Sequence, residues 1–123
     1  MYDNQWQYLD IKPMSVNEAY KGEVRISPTY TAYKHKVRCK LLEMDIPYSK
    51  KYLIRLNFGL SNESADYDNP IKPFQDILQT KYKFNDKVIF KGIIEKWIVP
   101  EGYEFIEFKI EPYEQQPWIR NVE

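Results

Sequence analysis

Residues 52–60, Tyr-Leu-Ile-Arg-Leu-Asn-Phe-Gly-Leu, decide how this chain folds. Tyr52, Ile54, Leu56, Phe58 and Leu60 recur at every second position, with Arg55 and Asn57 between them. Successive strand side chains point to opposite faces, so this period predicts a β-strand with one apolar face. Such a face needs a covering layer, and helical patterns on either side supply it. Upstream, Tyr30, Tyr33, Val37, Leu41 and Met44 recur at spacings of three and four. That is the stripe of an amphipathic helix, with Ser27 as N-cap, Pro28 at the first helical position and Pro47 closing the region. Downstream, Ile71, Phe74, Ile77, Leu78 and Tyr82 form a second stripe, with Asn69-Pro70 as N-cap and first position. Pro73 would then clash with the Asn69 carbonyl, so the first turn is 3₁₀-like or the helix starts later.

Outward from this centre, Trp6 to Ile11 alternates as a first strand and stops at Pro13. Residues 13–26 show little periodicity and read as a long loop. Val88 to Val99 and Tyr103 to Ile110 read as two further strands joined by a Pro100-Glu101-Gly102 turn, pairing most simply as an antiparallel hairpin. The element order predicts an α+β fold, a mixed β-sheet with helices packed on it. At 123 residues the chain is one domain, 1–123, with 113–123 as a tail that is either loosely held or packed on a partner.

Hydrophobic residues make up 43% of the chain and aromatics 16%, which excludes a disordered polypeptide. No apolar run approaches the roughly 18 to 20 residues that span a bilayer. The opening MYDNQWQYLD has no apolar core and is not expected to act as a signal peptide. Cys39 is the sole cysteine, so no internal disulfide forms, which suits a reducing cytoplasm. Any Ser-His or Cys-His scheme would rest on His35, the one histidine, in a lysine- and arginine-rich stretch expected to be an exposed helix face.

The formal net charge of zero hides an uneven distribution. Residues 21–55 carry nine basic side chains against three acids, and residues 95–123 carry seven glutamates against three basic groups. A basic half facing a polyanion is one reading; solvated faces whose charges mix in space is the other.

Between the central strand and the second helix lies Asp66-Tyr67-Asp68-Asn69, followed by Lys72 and, after the helix, by Asn85-Asp86. On an extended backbone Asp66 and Asp68 project to the same side. Two carboxylates that close repel unless a cation lies between them, and Mg²⁺ favours carboxylate, water and phosphate oxygens. Asp86 is expected to arrive beside the pair as the chain folds back. In the alternative reading the aspartates favour a helix N-terminus and Asp86 is a turn residue. An EF-hand is excluded, because Ile71 and Ile77 stand where its glycine and glutamate are required. A phosphate loop is excluded by four unclustered glycines. A phosphatase nucleophile would end an apolar strand, whereas Asp66 follows Asn-Glu-Ser-Ala.

Asp66-x-Asp68-Asn69-x-x-Lys72, a helix carrying Asp76, then Phe84-Asn85-Asp86 and a strand resembles the RusA family of phage and prophage Holliday-junction resolvases. Ser15-x-Asn17-x-x-Tyr20 and the helix start from Ser27 to Tyr33-Lys34 match more loosely, so the likeness runs over roughly residues 5–112. It implies a Mg²⁺- or Mn²⁺-dependent endonuclease, a homodimer acting on four-way DNA junctions in the cytoplasm of a phage-bearing bacterium. It further implies Asp66, Asp68 and Asp86 as catalytic, metal-binding carboxylates and Lys72 as the active-site lysine. Lys21, Arg25, Lys34, Lys36, Arg38 and Lys40 would hold the DNA backbone, while Tyr20 would stack on an opened base or pack on the core. The neutral total charge and the acids Glu18 and Glu23 depart from the family pattern. The rival readings are the same nuclease acting on flaps or forks, and a non-catalytic DNA-binding dimer of the same fold.

Overall fold

The computed structural model describes residues 6–15, 19–21, 25–26 and 28–120. Its elements are β1 (Gln7–Leu9), β2 (Tyr20–Lys21), β3 (Arg25–Ile26), α1 (Pro28–Lys40), β4 (Tyr52–Leu60), α2 (Ile71–Tyr82), a 3₁₀ turn at Asp86–Val88, β5 (Ile89–Ile98) and β6 (Phe105–Pro112). Four strands form one mixed sheet in the order β1-β6-β4-β5, and β2-β3 form a separate ribbon. The α+β expectation holds. No helix among the described residues is long and apolar enough to cross a membrane.

β4 forms over the predicted residues and lies between β6 and β5 in the sheet. Ile54, Leu56 and Phe58 are buried on the face that meets Phe74, Ile77 and Leu78 of α2, beside Ile106, Phe108 and Ile110 of β6. The Phe74 ring stands edge-on to Phe58 and Phe108, with centroids 6.3 and 5.5 Å away. Each such side chain contributes about 1.5–3 kcal/mol by leaving water. On the opposite face Arg55 pairs with Glu111 at 2.6 Å and Asn57 donates to Glu107 at 3.0 Å. Gly59 is required there, because a Cβ would lie 2.2 Å from the Phe105 ring, which in turn stacks on Tyr8.

Four local expectations are corrected. β5 and β6 are not a hairpin: β5 pairs parallel with β4, β6 pairs antiparallel with it, and β4 lies between them. The turn at Pro100–Gly102 forms as expected, with Gly102 at φ 94, but its connection passes over the end of β4, where the Val99 N–H meets the Leu60 carbonyl. α1 ends at Lys40, well before Pro47. Beyond it the Leu42 N–H is taken by the buried Gln7 side chain, and the Leu42 carbonyl accepts from the Tyr82 hydroxyl, so tertiary partners replace the next helical bonds. Part of the 13–26 stretch is the β2-β3 ribbon rather than loop. Finally, α2 is capped by Pro70 rather than Asn69, without a side-chain cap. The later start places Pro73 at the third helical position, where no intrahelical N–H is needed. The expected Ser27 cap lies outside the described residues.

Candidate metal and DNA site

The acidic motif is carried by the connection from β4 to α2. Its backbone is not extended: the Asn69 N–H bonds the Asp66 carbonyl at 3.3 Å, and the Ile71 N–H bonds the Asp68 carbonyl at 3.1 Å. Asp66 and Asp68 therefore sit on successive turns, and the expectation that strand alternation puts both on one side is corrected. Both side chains are exposed. Among the described residues neither carboxylate has an ion-pair partner or caps α2. Two exposed carboxylates on neighbouring turns offer hard oxygen donors of the kind Mg²⁺ takes, often one or two at a time with water and phosphate completing its shell.

Lys72 lies on the first turn of α2 and its ammonium reaches along the helix to Asp76, 3.4 Å away and largely exposed. An exposed pair of this kind holds the lysine by only about 0.3–0.5 kcal/mol, so a phosphate can displace the aspartate.

Asp86 does not join this group within one chain. β4 and β5 run parallel, with Tyr52 opposite Ile89 and Leu60 opposite Ile98. Asp86 opens the 3₁₀ turn just before Ile89, at the Tyr52 end of the sheet, whereas Asp66 follows Leu60 at the other end. The twelve-residue helix α2 and nine-residue β4 both span this gap. Their rises place Asp86 on the order of 20 Å from the acidic turn. Among the described residues no three His, Cys, Asp or Glu side chains of one chain converge on a metal position.

Two residues that sequence reasoning missed shape the Leu60 end. Lys96 donates from its ammonium to the carbonyls of Glu63 and Ala65, at 2.8 and 2.9 Å, and so ties the loop before Asp66 to β5. The signal was its register: Lys96 shares β5's core-side positions with Gly92 and Ile94, opposite Phe58 of β4. Glu104 is buried, accepting from the Ser61 hydroxyl at 2.8 Å and the Gly102 N–H at 2.9 Å. Its own backbone N–H and the Ser61 hydroxyl hold its carboxyl below the usual range. Glu104 and Asp66 line one hollow of about 200 Å³ with Lys12, Ser15, Asn62 and Asn69.

The basic residues of α1 divide between two flanks. Tyr30, Tyr33 and Val37 are buried in the middle. Lys34 and Arg38 border a hollow with Thr31 and His35, while Lys36 borders another with Lys12 and Met14. Lys40 follows Lys36 by four residues on that second flank. His35 is exposed, as expected. Tyr20, Lys21 and Arg25 belong by backbone to the β2-β3 ribbon, and their side chains lie outside what is described. Compared with known proteins, the chain matches no family model and no curated protein.

Proposed function

We propose that this chain is a Mg²⁺- or Mn²⁺-dependent endodeoxyribonuclease that resolves four-way DNA junctions by paired symmetric nicks, acting as a homodimer. The observation that carries the reading is the exposed Asp66/Asp68 turn feeding straight into the Lys72 helix, in the order that resembles the RusA family. Asp66 and Asp68 would hold the cation, which supplies Lewis acidity and an activated water. Lys72, released from Asp76, would meet the scissile phosphate. The α1 lysines and arginine would grip the DNA backbone by charge and shape, not base identity.

The separation of Asp86 gives the dimer a chemical reason. A carboxylate about 20 Å away cannot serve the acidic turn of its own chain, whose metal–oxygen contacts would be about 2.1 Å. A two-fold related copy presents its Asp86 end to the first copy's Asp66 end when the two sheets run antiparallel. Two shared sites then arise together, one for each strand to be nicked.

Cleavage of a labelled four-way junction with Mg²⁺, beside flap and linear duplex controls, tests the reading. Symmetric nicks are expected on opposing strands of the junction. Asp68→Asn should abolish them in a folded protein, and Lys72→Ala should slow single-turnover cleavage by about 10²-fold with little loss of binding. Near-wild-type cleavage by Asp68→Asn refutes the metal assignment, and preferential nicking of the flap moves the substrate to forks or flaps.

A further inference from the structure

Among the described residues β5 is the edge of the four-stranded sheet, paired with β4 on one side only. An edge strand offers a row of outward N–H and C=O groups, and chains that stay monomeric usually blunt it by shortness, bulges or charge. β5 is ten residues long, and its one register shift lies at its very start, before Lys91. Phe90, Ile93, Trp97 and Ile98 are between 40% and 47% exposed.

We infer that β5 pairs antiparallel with β5 of a second copy, about a two-fold axis through Ile93. The charges select this register. A two-fold normal to the sheet sets one residue opposite its own copy. Centring on Lys91, Glu95 or Lys96 would set like charges face to face, which is destabilising. Centring on Gly92 sets Lys91 against Ile93, and centring on Ile94 sets Glu95 against Ile93. Centring on Ile93 sets Lys91 opposite the partner's Glu95, twice by symmetry, and packs isoleucine on isoleucine between them. All three residues share the sheet face of Arg55 and Asn57, so cross-strand contact is direct. Glu95 has no ion-pair partner among the described residues, and the Lys91 ammonium rests 5.7 Å from the Tyr113 ring centre, near the limit of a cation–π contact.

The pairing makes one continuous sheet and brings the Asp86 end of each β5 beside the Ile98 end of the other, next to the partner's acidic turn. This consequence rests on the function proposed above; the interface does not. Sedimentation reads the interface without cleavage. The wild type should run at twice the 14.9 kDa chain mass. Ile93→Arg, Lys91→Glu and Glu95→Lys should each raise the dimer dissociation constant at least about tenfold, and the double swap Lys91→Glu with Glu95→Lys should restore it. In a Cys39→Ser background, Ile93→Cys should form a covalent dimer on mild oxidation, which guards against a misfolded arginine variant. A monomeric wild type, a dimer indifferent to Ile93→Arg, or a double swap no better than either single change overturns the interface. A dimer that obeys these rules yet cuts no junction leaves the interface standing and removes the nuclease.

Discussion

Mixing Asp68→Asn protein with Asp86→Asn protein should restore nicking that neither variant has alone. If each site draws Asp66 and Asp68 from one copy and Asp86 from the other, a mixed dimer concentrates both lesions in one site and leaves the second intact. If each chain held its own complete site, both sites of a mixed dimer would be damaged. The geometry favours sharing, because α2 and β4 keep Asp86 on the order of 20 Å from the acidic turn of the same chain. In a freely exchanging equimolar mixture about half the dimers are mixed, so about a quarter of wild-type sites should return. Mixed dimers isolated with two affinity tags should recover about half, and should nick one strand of a junction without its symmetric mate. The assay is single-turnover cleavage of a junction labelled on each strand in turn. Asp86→Asn is a mild change for the fold, since the 3₁₀ turn is capped by the Asn85 side chain accepting from the Lys87 N–H. Isolated mixed dimers with no more activity than either parent would refute the shared site.

Lys96 ties the loop before Asp66 to β5, so on the proposed function Lys96→Met should free the 61–65 loop, lower the single-turnover rate more than junction affinity, and leave β5 able to pair; an unchanged rate would show that the loop needs no anchor. Lys36→Glu with Lys40→Glu removes charge from one flank of α1 and should weaken junction binding and flatten its salt dependence by about two phosphate contacts, while an unaltered slope measured by fluorescence anisotropy would put the DNA on the other flank. Glu104 has a carboxyl held below its unfolded value, so its stabilisation is present above the unfolded pKa of about 4.3 and is lost as pH falls through the lower folded value. Urea melts of wild type and Glu104→Gln should therefore converge in acid; a difference that widens on acidification contradicts the hydrogen-bond account.

The central strand and both helical stripes were legible because burial in this fold follows simple periods. Tyr30, Tyr33 and Val37 at helical spacing are buried, and so are Ile54, Leu56 and Phe58 at strand spacing. Boundaries were less legible, since their causes lie far away in sequence. Nothing near Lys40 announces that Gln7, 35 residues earlier than Leu42, will take the next N–H. Gln7 is a buried amide serving the Leu42 N–H, the Tyr82 hydroxyl and the Met44 sulfur, and an alternating strand pattern does not distinguish it from a solvent-facing polar residue.

The misreading of β5 and β6 as a hairpin has the same origin, and it bears directly on the site. A tight turn between two strands carries the local signal of a hairpin whether or not a third strand lies between them. The discriminating residue was Leu53, which is buried on the face that β4 otherwise gives to Arg55 and Asn57. Apolar side chains on both faces are the pattern of a strand in a parallel pairing, whereas an antiparallel hairpin strand alternates with one solvated face. Once β4 is central, strand-helix-strand from β4 through α2 to β5 requires a crossover connection, and adjacent strands joined that way run parallel. Parallel pairing then carries the residues before β5 to the start of β4, and Asp86 with them. The turn chemistry of Asp66 to Asn69 and the fate of Asp86 thus come from one topological fact, the β4-α2-β5 crossover. On the nuclease reading proposed above, that fact would leave a single chain short of one carboxylate at its acidic turn, and the apolar edge of β5 is where the inferred second copy would supply it.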